Sequence, residues 1–376
     1  MAIIQYLTTI HFDHGAISVL PAELRRLGIA RPLLVTDPGV VAAGLLERIL
    51  TVFGSAVDPT IWSGTPSNPT EDAVVAAEAQ YHAQGCDGVV ALGGGSAIDL
   101  GKAVALLATH PGPLQQYAAV EGGAAKITDA VAPLIAIPTT AGTGSEVGRG
   151  AVIVMRSGRK LGLLSPHLLP KSAVCDPELT FALPPGLTAA TGMDAIAHCI
   201  ETYLAGAVNP PADAIALDGL RRGVAYIERA TNDGGDREAR WQMMMAATEG
   251  AMAFQKGLGA VHALSHPLGA VPGANLHHGT LNAVLLPAVL RFNRGAVEAK
   301  LDSLVQAMGL RPGADPAAFI ADLNARLKLP RGLGAMGLRR SALMAIAEAA
   351  PKDHCHQTNP RNPSVDDYLR MLEESY

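Results

Sequence analysis

Cysteine is scarce in this chain and poorly placed for cross-linking. Cys86, Cys175, Cys199 and Cys355 stand far apart, with no C-x-x-C pair among them. That excludes a disulfide scaffold and a zinc ribbon, and it points to reduced thiols in a cytoplasmic setting. Charge is sparse too, at 17% of residues, and a formal net charge of −5 leaves no basic footprint for nucleic acid. No run approaches the ~18 uninterrupted apolar residues of a membrane span. The opening "MAIIQYLTTIHF" lacks the basic-then-apolar pattern of a secretory leader, and internal repeats and low-complexity segments are missing. Apolar residues are abundant: 49% of 376, enough to bury large cores in two domains and to exclude a disordered chain. The expectation is a soluble, globular, enzyme-like chain.

The first half alternates short β-like runs with helical patterns. "RPLLVTD" reads as a buried strand ending in an aspartate, "VVAAGLLERILTVF" as a helix, and "AVDPTIW" as a further strand. "TEDAVVAAEAQYHAQG" opens with a threonine cap and first-turn acids and stops at Gly85. "DGVVALGGGS" is a continuous apolar strand running into glycines, "AIDLGKAVALLAT" the helix after it, and "PLIAIPTTAGTGSEV" again strand then polar loop. Such alternation predicts a parallel sheet with helices on both faces. From Leu187 onward Ala-rich helical stretches follow one another, and Pro184–Pro185 is a natural break. The chain is therefore expected to divide into an α/β domain, residues 1–184, and an all-helical domain, residues 185–376.

"ALGGGSAIDLGKA" sits where a strand meets a helix, a place where backbone N–H groups and the helix dipole favour an anion. Glycine lets the backbone approach a phosphate because no Cβ intervenes. The segment is not a P-loop, since Ala103 follows Lys102 where Ser or Thr would hold magnesium, and it is not G-x-G-x-x-G. The structural alternative is a plain helix start with Ser96 and Asp99 as a capping box, which leaves three consecutive glycines unexplained. In "IPTTAGTGSEV", Thr139, Thr140, Thr143 and Ser145 offer hydroxyls around glycines after another strand, again where an open α/β sheet binds ligands. Asp37, ending the first clear strand, is either an acceptor for ribose hydroxyls or a turn residue before Pro38.

Metal chemistry is written into the second half. "GMDAIAHCIE" places Asp194 and His198 four residues apart, on one helix face. "AVHALSHPLGAVPGANLHHGTLNA" carries His262, His266, His277 and His278, four of the chain's 12 histidines, with the first pair again at i,i+4. A lone buried histidine is most often a hydrogen-bonded core residue, but this concentration, matched by an upstream D-x-x-x-H, favours ligands. One carboxylate with three imidazoles suits Fe²⁺ or Zn²⁺, whereas magnesium and calcium prefer more oxygen.

The motifs "GGGSAID", "IPTTAGTGSE", "DPELTFALPP", "ATGMDAIAHCIE" and "VHALSHPLGA…HHGTLNAVLLP", in that order, resemble the iron-containing (group III) alcohol dehydrogenase family from end to end. The resemblance implies a dehydroquinate-synthase-like fold: an N-terminal dinucleotide domain with a parallel sheet, a helical metal-binding domain, and an active site in the cleft between them. It implies Asp194, His198, His262 and His278 as metal ligands. The family's usual Pro-His-Gly is His277-His278-Gly279 here, so His278 is favoured and His277 is the alternative. His266 matches a non-ligand histidine beside the reacting carbon, and Phe254 a substrate-pocket residue. For the cofactor, it implies Gly94, Gly95 and Ser96 at the pyrophosphate and Asn68, Thr139, Thr140, Thr143 and Leu179 along the nucleotide. Lys160 then lies on its ribose side and Asp37 at the adenosine ribose. An acid at position 37 repels a 2′-phosphate, which favours NAD over NADP. A homodimer or higher homo-oligomer is also implied.

The activity that follows is NAD(H)-linked, metal-dependent alcohol oxidation or aldehyde reduction, with Fe²⁺ or Zn²⁺ as Lewis acid and His266 as a proton relay. Three rivals share parts of this pattern. They are a maleylacetate reductase, a hydroxy-acid (semialdehyde) dehydrogenase, and a dehydroquinate-synthase-type cyclase. Arg149 in "TGSEVGRGAV" stands out in a chain poor in charge. It either pairs with Glu146 or reads the carboxylate of an anionic substrate.

Overall fold

The computed structural model describes residues 8–271, 274 and 276–376, so the first seven residues of the predicted α/β domain lie outside it. It divides into two compact units. Of the described residues, one holds 8–140 and 144–182, and the other 141–143 and those from 183 to 376.

The α/β unit is built on strands β1 (Thr9–Phe12), β2 (Pro32–Val35), β3 (Thr60–Trp62), β4 (Gly88–Gly93), β5 (Leu134–Pro138) and β8 (Ser172–Cys175), with a separate hairpin of β6 (Gly150–Val154) and β7 (Lys160–Leu164). The six pair in parallel, in the order β1-β8-β5-β4-β2-β3. Every residue of β2, β4, β5 and β8 is buried, as expected of parallel strands covered on both faces. Period-two alternation sorts their side chains into two cores. Leu33, Val35, Val89, Ala91, Leu134 and Ala136 face one, while Leu34, Val90, Leu92, Ile135, Ile137 and Val174 face the other.

Five helices cover the sheet: α1 (Leu20–Leu27), α2 (Pro38–Ala42), α3 (Leu45–Phe53), α4 (Glu71–Ala83) and α5 (Gly95–Leu107). The single helix expected after β2 is two, because Gly44 adopts φ 72° between them. A helical hydrophobic period runs through the break and hides it. Threonine capping of α4 is as expected, Thr70 accepting from the Ala73 N–H at 3.3 Å, and Gly85 takes a positive φ of 60° beyond its end. Helices α2 and α3 pack into one core, through Val40, Leu46, Ile49 and Phe53, and α5 into the other, through Leu100, Ala103 and Val104. The chain therefore switches faces between β2 and β4, and their carboxyl ends flank the crevice where open α/β sheets take ligands.

The helical unit comprises α6 (Pro185–Leu204), α7 (Pro210–Asn232), α8 (Arg237–Ala253), α9 (Ala260–Gly269), α10 (His278–Asn293), α11 (Glu298–Ala307), α12 (Pro316–Arg326), α13 (Leu343–Ala349) and α14 (Val365–Glu374). Helix α6 is its axis, buried from Thr188 to Leu204 and packed against α7, α8 and α10. Small residues permit that closeness: a Cβ on Gly219 would meet Cys199 Sγ at 2.8 Å, and one on Gly250 the His198 Cβ at 3.2 Å. Two ammonium groups meet the carboxyl end of α6, Lys256 Nζ 3.1 Å and Lys300 Nζ 2.7 Å from the Tyr203 carbonyl. Cations are favourable there because they answer the unpaired carbonyls and the helix dipole.

Helix α10 lies closest of all: a Cβ on Gly279 would sit 2.3 Å from the Ala190 carbonyl oxygen of α6. No rotamer relieves a clash with backbone, so the helices would have to part. Gly279→Ala is expected to destabilise the unit by about 1–3 kcal/mol, as overpacking typically does. Thermal unfolding checks this; an unchanged melting temperature would show that the contact yields freely.

Candidate active site

Three helices bring four donor atoms to one point. Asp194 and His198 lie one turn apart on α6, His262 near the start of α9, and His278 at the start of α10. The Asp194 Oδ1 atom stands 3.8 Å from His198 Nε2, 3.9 Å from His262 Nε2 and 3.7 Å from His278 Nε2. The side chains of Asp194, His198 and His262 are at most 5% exposed. In a tetrahedral site with bonds of ~2.1 Å, neighbouring donors stand about 3.4 Å apart. Asp194, His262 and His278 bring their ligand atoms within 4.8 Å of one another, and His198 sets its Nε2 beside Asp194.

Local order explains how His262 is aimed. Its helix begins with N–H groups that have no partner within the helix. Glu201 Oε1 takes the Val261 N–H at 2.7 Å, and Asn359 Oδ1 takes that of Ala260 at 3.0 Å. The other oxygen of Glu201 lies 2.5 Å from His262 Nδ1, so that nitrogen donates and Nε2 faces Asp194 with its lone pair. Burial opposes charge on His262, but Glu201 and then Asp194 outweigh it and its pKa lies above the ordinary value. At His198 burial outweighs the pull of Asp194 and lowers the pKa to about 4. Its ring stacks on His262 at 4.8 Å and meets Phe254 edge-on at 5.4 Å.

Asn282, one turn after His278 on α10, completes the group. Its Nδ2 lies 2.6 Å from Asp194 Oδ1, 3.2 Å from His262 Nε2 and 3.1 Å from His278 Nε2, while its Oδ1 is buried without a partner among the described residues. Two amide hydrogens cannot answer the Asp194 oxygen and the His262 and His278 nitrogens at once. This surplus of buried lone pairs fits a divalent cation, and a set of one oxygen and three nitrogens suits iron or zinc. His277 stands apart: it is exposed, caps α10, and accepts from the Thr280 N–H at 3.4 Å. His266 is 2.9 Å from Asp353 Oδ2 and stacks on His278 at 5.6 Å.

In the α/β unit the glycine loop closes on Asp37. A Cβ on Gly93 (φ 152°) would lie 3.1 Å from Asp37 Oδ2, and one on Gly94 3.4 Å from the Thr140 side chain. Asp37 caps α2, accepting the Val40 N–H at 2.9 Å, and remains half-buried. Helix α5 starts at Gly95 with no side-chain cap, which leaves its first N–H groups to an anion. The alternative, a Ser96–Asp99 capping box, does not form. Ser96 donates to the Ser67 carbonyl at 2.6 Å, and Asp99 accepts from Ser145 Oγ at 2.6 Å and the Val152 N–H at 2.9 Å. Lys160 Nζ donates to Asn68 Oδ1 at 3.0 Å, and the Thr139 N–H to the Gly93 carbonyl at 3.0 Å. Leu179 is 1% exposed and packs with Leu92 and Ile137, and Thr143 groups with the helical unit.

The Arg149–Glu146 pair is also corrected. Among the described residues Arg149 forms no ion pair and is exposed, whereas Glu146 is buried, its carboxyl pushed up to about 7 by desolvation. Lys102 is the cation inside, its Nζ donating to carbonyls of Ser145, Gly148 and Gly150 at 2.6–2.8 Å and to Ser145 Oγ at 2.9 Å.

Sequence reasoning passed over Glu201, Asn282 and Asp353. The i,i+4 spacing of His278 and Asn282 repeats that of Asp194 and His198 and was there to be read. Glu201 and Asp353 act across 61 and 87 residues, and no local pattern marks them.

Residues 8–177 match the family model "Iron-containing alcohol dehydrogenase", and residues 188–376 match "Fe-containing alcohol dehydrogenase family, C-terminal". The chain is 60% identical to the 4-hydroxybutyrate dehydrogenase of Cupriavidus necator, over 100% of both chains. It is 34% identical to the 1,3-propanediol dehydrogenase of Klebsiella pneumoniae, over 97% of this chain and 96% of the other. Among solved structures, a 1,3-propanediol oxidoreductase superimposes with a TM-score of 0.94 at 33% identity, covering 100% of each chain.

Two outcomes are expected at the donor cluster. Asp194→Ala and His198→Ala should each abolish stoichiometric Fe²⁺ or Zn²⁺ binding, measured on purified protein, while the circular dichroism spectrum keeps its helical signal. Glu201→Gln should weaken metal affinity about 10–100-fold, the usual worth of a group that orients a ligand histidine. Unchanged affinity would show that the Glu201 contact does not orient His262.

Proposed function

The chain belongs to the iron-containing alcohol dehydrogenase family, and from that premise we propose a metal-dependent, NAD-linked dehydrogenase of ω-hydroxy acids. It would interconvert 4-hydroxybutyrate, or a close homologue, with its semialdehyde. That the enzyme is an oxidoreductase acting on CH–OH follows from the family. The observation that carries the metal-dependent reading is the convergence of buried Asp194, His198 and His262 with half-buried His278, each imidazole Nε2 lying within 3.9 Å of the Asp194 carboxylate. The hydroxy-acid substrate is supported by the 60% identity to a 4-hydroxybutyrate dehydrogenase.

When bound, Fe²⁺ or Zn²⁺ supplies Lewis acidity, which makes the alcohol's proton easier to remove and polarises the carbonyl in reverse. The protein does the rest. Asp194 and the three histidines hold the metal, Glu201 and Asn282 orient them, and Phe254, edge-on to His198, shields that side from water. His266 holds the proton. Gly94, Gly95 and Ser96 at the start of α5 receive the pyrophosphate of NAD, and Asp37 takes the adenosine ribose. Lys160, held by Asn68, sits on the ribose side, with Thr139 and Thr140 along the nucleotide, while Leu179 serves the core beneath. A cytoplasmic homodimer accords with four buried cysteines that form no disulfide among the described residues, and with the family. No described helix is long and apolar enough to cross a membrane.

We propose Arg149, exposed and without an ion pair among the described residues, as the partner of the substrate carboxylate. A charged hydrogen bond is worth about 1.5–3 kcal/mol, so kcat/KM for 4-hydroxybutyrate should exceed that for 1-butanol by about ten- to a hundredfold. Arg149→Leu should raise KM for the acid and leave that for the alkanol alone; equal effects would return the arginine to a structural role. A chelated enzyme should lose turnover and recover it with Fe²⁺ or Zn²⁺, and full turnover by metal-free protein would overturn the reading.

The cofactor assignment has its own check. Asp37→Gly should raise kcat/KM with NADP relative to NAD, because the carboxylate that repels a 2′-phosphate is gone. Stability should fall by only a few tenths of a kcal/mol, since glycine is itself an acceptable cap. Wild type that already favours NADP would remove Asp37 from the ribose.

A further inference from the structure

His266 follows His262 by one turn of α9 and contributes no donor atom to the cluster of Asp194, His262 and His278. Its ring is nonetheless packed among those groups, stacked on His278 with planes 9° apart and edge-on to His262 at 5.8 Å between centroids. The group that holds it there comes from far along the chain. Asp353 Oδ2 lies 2.9 Å from His266 Nδ1, and Asp353 Oδ1 accepts the Cys355 N–H at 2.8 Å, so the carboxylate is gripped at both oxygens. Both side chains are largely buried, at 12% and 14% exposure.

A neutral imidazole has one proton for two nitrogens, and its neighbours decide which nitrogen keeps it. A carboxylate beside Nδ1 draws the proton to that side. Nε2, on the far side of the ring from Asp353, is then left with the lone pair. Without Asp353 the ring could take the other tautomer, which has no base nitrogen to offer there.

We propose that Asp353 is a positioning residue for the dehydrogenase reaction, fixing His266 as the Nδ1–H tautomer so that Nε2 exchanges the hydroxyl proton. The inference rests on the dehydrogenase reading given above. In oxidation the alcohol O–H bond breaks and its proton forms an N–H bond at His266 Nε2. The carbinol C–H bond breaks and its hydride reduces NAD⁺ to NADH, leaving the carbonyl. The imidazolium, held against Asp353, then returns its proton to water. Reduction runs the same path backwards.

The neighbourhood offers one competing role. His266, Asp353, His354 and Cys355 bring possible ligand atoms within 4.8 Å of one another. The two hydrogen bonds of Asp353 already answer its charge, and burial pushes the Cys355 thiol well above its ordinary value, away from the thiolate a metal needs. The dyad needs nothing added.

Two measurements test the proposal. In metal-free protein labelled at histidine ring nitrogens, the NMR signals lost in His266→Gln should report a protonated Nδ1, and in Asp353→Asn they should shift toward the other tautomer. In the metal-loaded enzyme, Asp353→Asn should lower kcat about a hundredfold or more, the scale of general acid–base catalysis. KM and metal content should stay near wild type, and Asp353→Glu should recover part of the loss. Because Asp353 acts through His266, adding Asp353→Asn to His266→Gln should cost nothing further. The proposal is overturned by a wild-type tautomer in Asp353→Asn, by undiminished kcat in that variant, by equal losses in both backgrounds, or by a second metal equivalent that Asp353→Asn removes. A wild type that turns over no alcohol would instead defeat the dehydrogenase reading, and the NMR measurement would still decide the tautomer.

Discussion

A carboxylate oxygen stands less than 4 Å from each of three imidazole nitrogens, and most of these groups are out of contact with water. Lone pairs so arranged repel, and burial removes the solvent that would screen them. The helical unit is organised around that constraint. Helix α6 is buried almost from end to end, glycines of α7 and α8 let neighbours come close behind His198, and two lysines settle its carboxyl end. Glu201 starts α9 and turns His262 with the same carboxylate. Each device is an ordinary packing or capping interaction. Together they hold the donors in place against their mutual repulsion.

The α/β unit obeys a different rule. Parallel strands buried on both faces must be apolar throughout, which leaves the polar chemistry to the loops at their carboxyl ends. Asp37 follows β2 and the glycines follow β4, on either side of the point where the chain changes faces. Their closeness is a product of strand order, and strand order is what the buried apolar runs produce.

Local causes were legible in the sequence, and contacts completed only by the fold were not. Strands β2, β4 and β5 announce themselves as unbroken apolar runs, and α4 by its threonine and first-turn acids, because the cause is local. The break between α2 and α3 was hidden by a helical period that continues through Gly44. Ser96 and Asp99 have the spacing of a capping box, but Ser145 and Val152 claim the aspartate from some fifty residues away. Glu146 and Arg149 have the spacing of an ion pair, but the acid turns inward and the arginine outward. At the metal cluster, spacing made Asp194 with His198 and His262 with His266 conspicuous. The choice of His278 over His277 came from the family resemblance, and the coordinates bring His278 and not His277 to Asp194. Glu201 and Asp353 belong to contacts formed only when the fold is complete, and composition offers no trace of them.

The glycine after His278 carries a consequence of its own. A Cβ there would meet the Ala190 carbonyl first, so what forbids a side chain is the distance between two helices. The His-Gly dipeptide therefore joins two independent demands, one chemical and one architectural. Were this lineage to drift to a protein with no metal, the histidine would be free to change while the glycine would not. A sequence keeping the glycine without the histidine would record a shape that had outlived its chemistry.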